Sequence, residues 1–157
     1  MLPILFLRKG LRGGYTLDQN GLLGKGDFHG QHRVDRQGAP VRFIVYSQDR
    51  LVIVTFAKKV TAADIANYAA RLREHPSFRP EFSEIADLSA VEELDLQADE
   101  FLRLADAVDP FAYEARRAFV VQNSVQAHAA RLHRALRTHR NFEIFHSFAD
   151  ARRWISE

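Results

Sequence analysis

A chain of 157 residues, 46% hydrophobic and 27% charged, is long enough to bury the core of one soluble domain. It has no cysteine, which excludes disulfide staples, thiol catalysis and thiolate metal sites. The formal net charge is +2, and no apolar run approaches the roughly 20 residues that cross a bilayer.

The opening "MLPILFLRKG" puts its basic residues after a short apolar run. A secretory signal has the reverse order, so a cytoplasmic protein is expected. Residues 8–40 are rich in glycine and weakly periodic, which reads as an arm of turns and loops. Leu2 to Leu7 is a candidate edge strand at its start.

From Val41 the pattern sharpens. "VRFIVYSQ" and "RLVIVTFA" are β-branched and aromatic runs joined by a polar turn at Gln48–Arg50, the mark of a hairpin. "TAADIANYAARLREHP" follows as a helix. Thr61 and Asp64 form a capping box, Ile65, Ala69 and Leu72 share one face, and Pro76 ends it. Ser83 to Leu88 reads as a strand. "LQADEFLRLADAVDP" reads as a helix with Asp99 and Glu100 in its first turn, where the helix dipole favours acids. Phe101, Leu104 or Ala105, and Val108 would face inward.

"RRAFVVQN" has an all-apolar centre from Ala118 to Val121, which suits a strand covered on both faces. The next helix begins at Asn123 or Ser124, with Val125, Ala129, Leu132 and Leu136 as its expected inner stripe. "FEIFHSF" supplies the last strand. Ser147 with Asp150 caps a final helix, with Phe148, Ala151 and Ile155 packing back and Trp154 beside them. The order β-β-α-β-α-β-α-β-α predicts an α/β domain over residues 41–157, preceded by the arm of residues 1–40. Its mixed sheet would have four to five strands, with helices packed on it through right-handed crossovers.

"DLSAVEELDLQADEFL" resembles the central signature of STAS domains, the anti-sigma factor antagonist fold. Val41 to Ile155 is similar to the SpoIIAA-like group within that fold. The carrying features are the opening hairpin, "HPSFRPEFSEIADLS", and the closing "FHSFADARRWI" with Ala151 and Trp154 in the last helix. The resemblance implies a regulatory domain that docks on a protein. In antagonists of this kind, the second serine of an Asp-Ser-Ser-Gly turn takes a phosphate from a partner kinase. Here Asp95 matches that turn, but Leu96, Gln97 and Ala98 replace Ser-Ser-Gly. Without a hydroxyl the corner cannot gain the charge of about −1.5 to −2 that drives such a switch. The resemblance extends to lipid-binding relatives with an apolar pocket under the helices. Phe101, Leu104, Leu132 and Leu136 are the candidates to line one, though such residues are more often core.

Two polar residues stand at the end of the 83–88 strand, where open α/β sheets put their sites. Ser89 is a candidate phosphate or small-ligand contact, against the commoner role of a turn serine bonding local backbone. Asp87 is a candidate base, against the commoner role of accepting backbone N–H bonds to hold a loop. His29 and His32 lie in the arm, too few for a metal site that wants three or four ligands. His128 and His133 are five apart and do not share a helical face. These two, His139 and His146 read as surface or interface histidines. No Gly-x-Ser-x-Gly elbow and no phosphate loop occurs. No catalytic residue, metal or cofactor is therefore expected.

Charge is uneven along the chain. Residues 81–114 hold eleven acids and one base, a net −10, whereas residues 115–157 hold eight arginines and three acids. Arg131, Arg134 and Arg137 fall at helical spacing. With little aromatic interleaving and no recognition fold, nucleic acid is a poor partner for them. The acidic segment of a second copy, or of a protein partner, suits them better. The sequence thus predicts a non-catalytic docking domain, with the holding of a small apolar or anionic ligand as the alternative. Asp87, Ser89, Asp95, Arg131, Arg134 and Arg137 are its candidate contacts.

Overall fold

The structure, a computed structural model, describes residues 40–104, 109–136 and 141–157, together with 16–17 and 23–24. Within the glycine-rich arm, Thr16–Leu17 (β1) pairs antiparallel with Leu23–Gly24 (β2). The expected strand at Leu2–Leu7 and the pair His29 and His32 lie outside the described residues.

Val41–Tyr46 (β3) and Leu51–Phe56 (β4) form the expected hairpin, with Ile44 opposite Ile53. Its turn closes through Arg50 N–H donating to the Ser47 carbonyl at 3.3 Å. Arg50 takes φ 51°, a left-handed conformation that costs a residue with a Cβ about 1–2 kcal/mol.

After β4 the chain bends into Lys59–Thr61 (β5) and then Ala62–Arg73 (α1). Thr61 caps α1 as its spacing to Asp64 requires. Its hydroxyl accepts from Asp64 N–H, and the Asp64 carboxylate accepts from Thr61 N–H at 2.9 Å. Ser83–Asp87 (β6) is followed by a second short strand, Glu93–Asp95 (β7), then by Ala98–Arg103 (α2). Arg117–Val120 (β8), Ser124–Leu136 (α3), Phe142–Phe145 (β9) and Phe148–Ser156 (α4) complete the order.

The main sheet has five strands in the order β3-β4-β6-β8-β9. Only β3 with β4 is antiparallel; β4–β6, β6–β8 and β8–β9 are parallel. This is the mixed α/β sheet the sequence predicts. A two-residue side-chain period sorts the strands into two faces. Val41, Phe43, Val45, Val52, Val54, Ala86, Phe119 and Phe142 point to one face and pack with Tyr68 and Leu72 of α1 and Ala127 and Ala130 of α3. Leu51, Ile85, Ala118 and Val120 point to the other, where Ala151, Trp154 and Ile155 of α4 cover them. The crossover helices α1 and α3 share one side, the outcome expected when right-handed crossovers step in one direction along a sheet, while α4 follows the last strand and covers the other. Each fully buried Leu or Val here contributes about 1.5–3 kcal/mol.

Two expected helix faces are corrected in part, since Ala129 of α3 and Ala151, Trp154 and Ile155 of α4 pack inward as expected. In α3 the buried positions are Gln126, Ala127, Ala129 and Ala130, while Val125 is 50% exposed and Leu132 and Leu136 are half-buried. The helix lies close on Phe119 and Phe142, and small residues allow that approach. In α4, Ala151 is buried and Trp154 packs on Phe145, but Phe148, at the helix's first position, is exposed.

Candidate functional site

The corner after β6 is built differently from a strand-to-helix turn. Leu88 N–H donates to the Val120 carbonyl, and Val91 N–H returns to the Leu88 carbonyl at 2.8 Å. The chain then runs beside β5 as a parallel ribbon, with Lys59 next to Glu93 and Thr61 next to Asp95. Val60 and Val91 are buried beneath it. Lys59 Nζ lies 2.9 Å from Glu93 and 3.6 Å from Asp95. The hydrogen bond and charge of Glu93 raise the Lys59 pKa above its ordinary value. Lys58 pairs with Glu92 and Arg103 with Asp99.

The ribbon and Leu96 just after it form one wall of a groove; α3 forms the other. Leu94, Leu96, Ser124, Val125, His128, Ala129 and Leu132 line a space of 480 Å³. Its character is apolar, with Ser124 and His128 as the polar members of the lining. Gln126 fixes the spacing of the two walls. Its side-chain oxygen accepts from Gln122 N–H at 2.6 Å, and its amide donates to the Val91 carbonyl at 2.7 Å and the Ser89 carbonyl at 3.3 Å. Asn123 caps α3 by accepting from Gln126 N–H.

The sequence-derived candidates divide between this groove and its surroundings. Asp87 Oδ1 accepts from Ser89 N–H at 2.9 Å, and Ser89 is exposed. Asp95 is exposed on the ribbon between the two lining leucines. Arg131 and Arg134 are exposed on α3, and neither has an ion-pair partner among the described residues. Arg137 lies outside the described residues, as does His139. Of the pocket candidates, Leu132 lines the groove. Leu104 and Leu136 are half-buried elsewhere, and the side chain of Phe101 is outside the description. Leu94, Leu96 and Val125 are the functional candidates that sequence reasoning missed. The signal was their periodicity: two leucines alternating with acids in "EELDLQ", opposite a helix position assumed to be core.

A second constellation sits under the helices. Glu84 and Arg117 are paired neighbours on β6 and β8 and point to the helix-covered face. Arg117 donates through Nε and Nη2 to Glu84 Oε2, both at 2.6 Å, and through Nη1 to Asp109 Oδ2 at 2.8 Å. The Tyr68 hydroxyl donates to Glu84 Oε1 at 2.7 Å. The guanidinium stacks over Phe111 at 4.3 Å. His133 stacks on Phe119 at 5.2 Å, with Nε2 3.7 Å from Asp109, so it is an inward residue and not the surface histidine expected. Burial works to lower the Arg117 pKa, but attraction to Glu84 and Asp109 outweighs it and holds the group above its ordinary range. Burial, reinforced by Glu84, pushes the Tyr68 hydroxyl well above its ordinary value. These groups are saturated by one another and lie against aromatic rings, which is the arrangement of a structural tie.

Among the described residues no group of three or more His, Asp or Glu side chains is placed to hold a metal ion. No helix among them is long and apolar enough to cross a membrane.

Fold and site together define a small mixed α/β domain with an open apolar groove at one end of its parallel strands. Among solved structures it is similar to the crystal structure of an uncharacterized protein from the DUF3478 family with a SpoIIAA-like fold, from Shewanella loihica PV-4. The TM-score is 0.48 at 22% identity, covering 67% of this chain and 83% of that one. No protein-family model and no curated protein matches the chain.

Proposed function

We propose that this chain is a non-catalytic binding domain that docks a protein partner in the groove between the β5–β7 ribbon and α3. The observation that carries the reading is the groove's composition. Apolar side chains remain open to solvent there, with Val125 half exposed, in a domain that buries its other valines on β3, β4 and β8. Exposed apolar surface rimmed by charge marks interaction sites. Glu92, Glu93, Asp95, Asp99 and Glu100 flank the lining leucines in sequence, and Lys58, Lys59 and Arg103 balance only part of that charge. A partner segment that is apolar on one side and basic on the other is complementary to it.

The groove supplies no nucleophile–base–orienter set, which favours binding over catalysis. A kinase-driven switch is not part of the reading, because Gln97, which matches the second serine of the Asp-Ser-Ser-Gly turn, has no hydroxyl to take a phosphate, and neither has Leu96 before it.

The test is a titration of the isotope-labelled chain with a synthetic helical peptide of leucine and lysine, followed by amide chemical shifts. Shifts concentrated at residues 93–97 and 124–132, and weakened by salt, support the reading. Shifts scattered over the molecule, or equal shifts with a leucine–glutamate peptide, overturn it.

A second reading has one observation in its favour. The groove's 480 Å³ falls inside the roughly 300–1,000 Å³ of small-molecule sites, so a compact apolar ligand fits it. Native mass spectrometry of freshly purified protein distinguishes this case by an added mass that Leu96→Glu abolishes.

A further inference from the structure

α3 carries a second pattern within the groove. Val125, Ala129 and Leu132 line the groove at positions i, i+4 and i+7, with the small and largely buried residue recessed between the two larger ones. A helix stripe of that shape admits a second helix at close approach over the alanine. The stripe is also self-complementary. Two copies related by a twofold axis through Ala129 lie antiparallel, so that Val125 of each meets Leu132 of the other.

Charge follows the same symmetry. Among the described residues Arg131 and Arg134 have no ion-pair partner, although exposed carboxylates such as Asp95 and Asp99 stand on or beside the opposite wall. Arg131 is one helical step from His128 of the lining. A copy seated in the groove brings that arginine toward the other chain's Asp95, Asp99 and Glu100, beside Leu94 and Leu96. Each chain offers one acidic wall and one basic helix, which is what an isologous interface needs.

We propose that a second copy of this chain occupies the groove, with α3 packed antiparallel on α3 through Ala129 and Arg131 facing the acidic wall of the other chain. This rests on the reading of the groove as a docking site and names its occupant.

The experiment is sedimentation velocity on the full chain across a concentration series, in low and high salt. A monomer–dimer equilibrium is expected that weakens as salt screens the rim pairs. Val125→Glu, at an exposed position, is expected to raise the dimer Kd by at least about tenfold, the effect of losing a central interface contact. Arg131→Glu is expected to weaken the dimer as well, and the double variant Arg131→Glu with Asp95→Lys to restore it in part. Circular dichroism checks that each variant remains folded.

A dimer unaffected by Val125→Glu overturns the proposal. So does a chain that stays monomeric at about 100 μM in low salt, a concentration that populates even a modest complex. The two readings fail separately. A monomer whose groove resonances still shift with the leucine–lysine peptide docks some other protein, and only the choice of occupant falls. A monomer with no such shifts removes both.

Discussion

Arg117→Met is the substitution on which the buried tie makes its sharpest demand. The guanidinium reaches Glu84 at 2.6 Å and Asp109 at 2.8 Å, and the three side chains are 5%, 2% and 3% exposed. Methionine fills much of the volume over Phe111 and removes the charge, leaving two carboxylates in an apolar setting with one cation gone. Breaking one buried pair costs about 3–5 kcal/mol, and two are broken here, so a loss of about 5 kcal/mol is expected. Set against total stabilities of about 5–15 kcal/mol, that approaches global unfolding. With a urea slope of about 1–3 kcal/mol per molar, the midpoint falls by roughly 2 M. Urea titration followed by circular dichroism at neutral pH reads it directly. The companion is the triple variant Glu84→Gln, Asp109→Asn, Arg117→Met, which removes all three charges and regains more than half of the loss. A single variant that loses less than about 1 kcal/mol, or a triple variant no more stable than the single, refutes the claim that this ion cluster is a buried tie.

Tyr68 gives the chain an alkaline limit. Its pKa is raised on folding, so its contribution is fully present below the ordinary tyrosine value of about 10 and is lost as pH climbs toward the folded value. Stability should therefore decline above about pH 10 with a slope that Tyr68→Phe reduces, measured by denaturation at several pH values. At neutral pH the same variant loses about 1–3 kcal/mol, since the buried Glu84 oxygen keeps no donor in place of the hydroxyl. Thr61→Ala removes the cap of α1 and costs about 0.5–2 kcal/mol in a urea midpoint. Core and groove separate by the same assay: Leu72→Ala costs about 2–5 kcal/mol, whereas Val125→Glu changes stability by less than about 0.5 kcal/mol.

The frame of the fold was legible because its signals are local. The β3–β4 hairpin announces itself by two β-branched runs, α1 by Thr61 and Asp64, and β8 by an unbroken apolar centre. The β5–β7 ribbon was not legible. Its strands are three residues each, "KVT" and "ELD", held by pairing between segments far apart in sequence. That omission hid the groove, since Leu94 and Leu96 acquire a position only once the ribbon exists.

The face of α3 was misjudged for a different reason. Bulk was taken as the mark of burial, but the sheet supplies the bulk through Phe119 and Phe142, and the helix contributes alanines. Asp87 and Ser89 were visible as a polar pair, and they bond to each other across a turn beside the groove, not within its lining. Glu84 and Arg117 carried a readable signal that only the register reveals: opposite charges at the same inward parity on adjacent strands.

The strand order has a consequence for how the molecule is made. Reading across the sheet, β3, β4, β6, β8 and β9 come in the order of synthesis, so each new strand finds its neighbour already present at the growing edge. No strand must be inserted between two others, which keeps the loops to be closed short for a largely parallel sheet. The cost falls at the end. α4, the last element of the order, covers Leu51, Ile85, Ala118 and Val120, and until it arrives that surface is bare. A chain in which α4 has not docked carries a finished sheet with one greasy side, the species a chaperone or a protease would meet first.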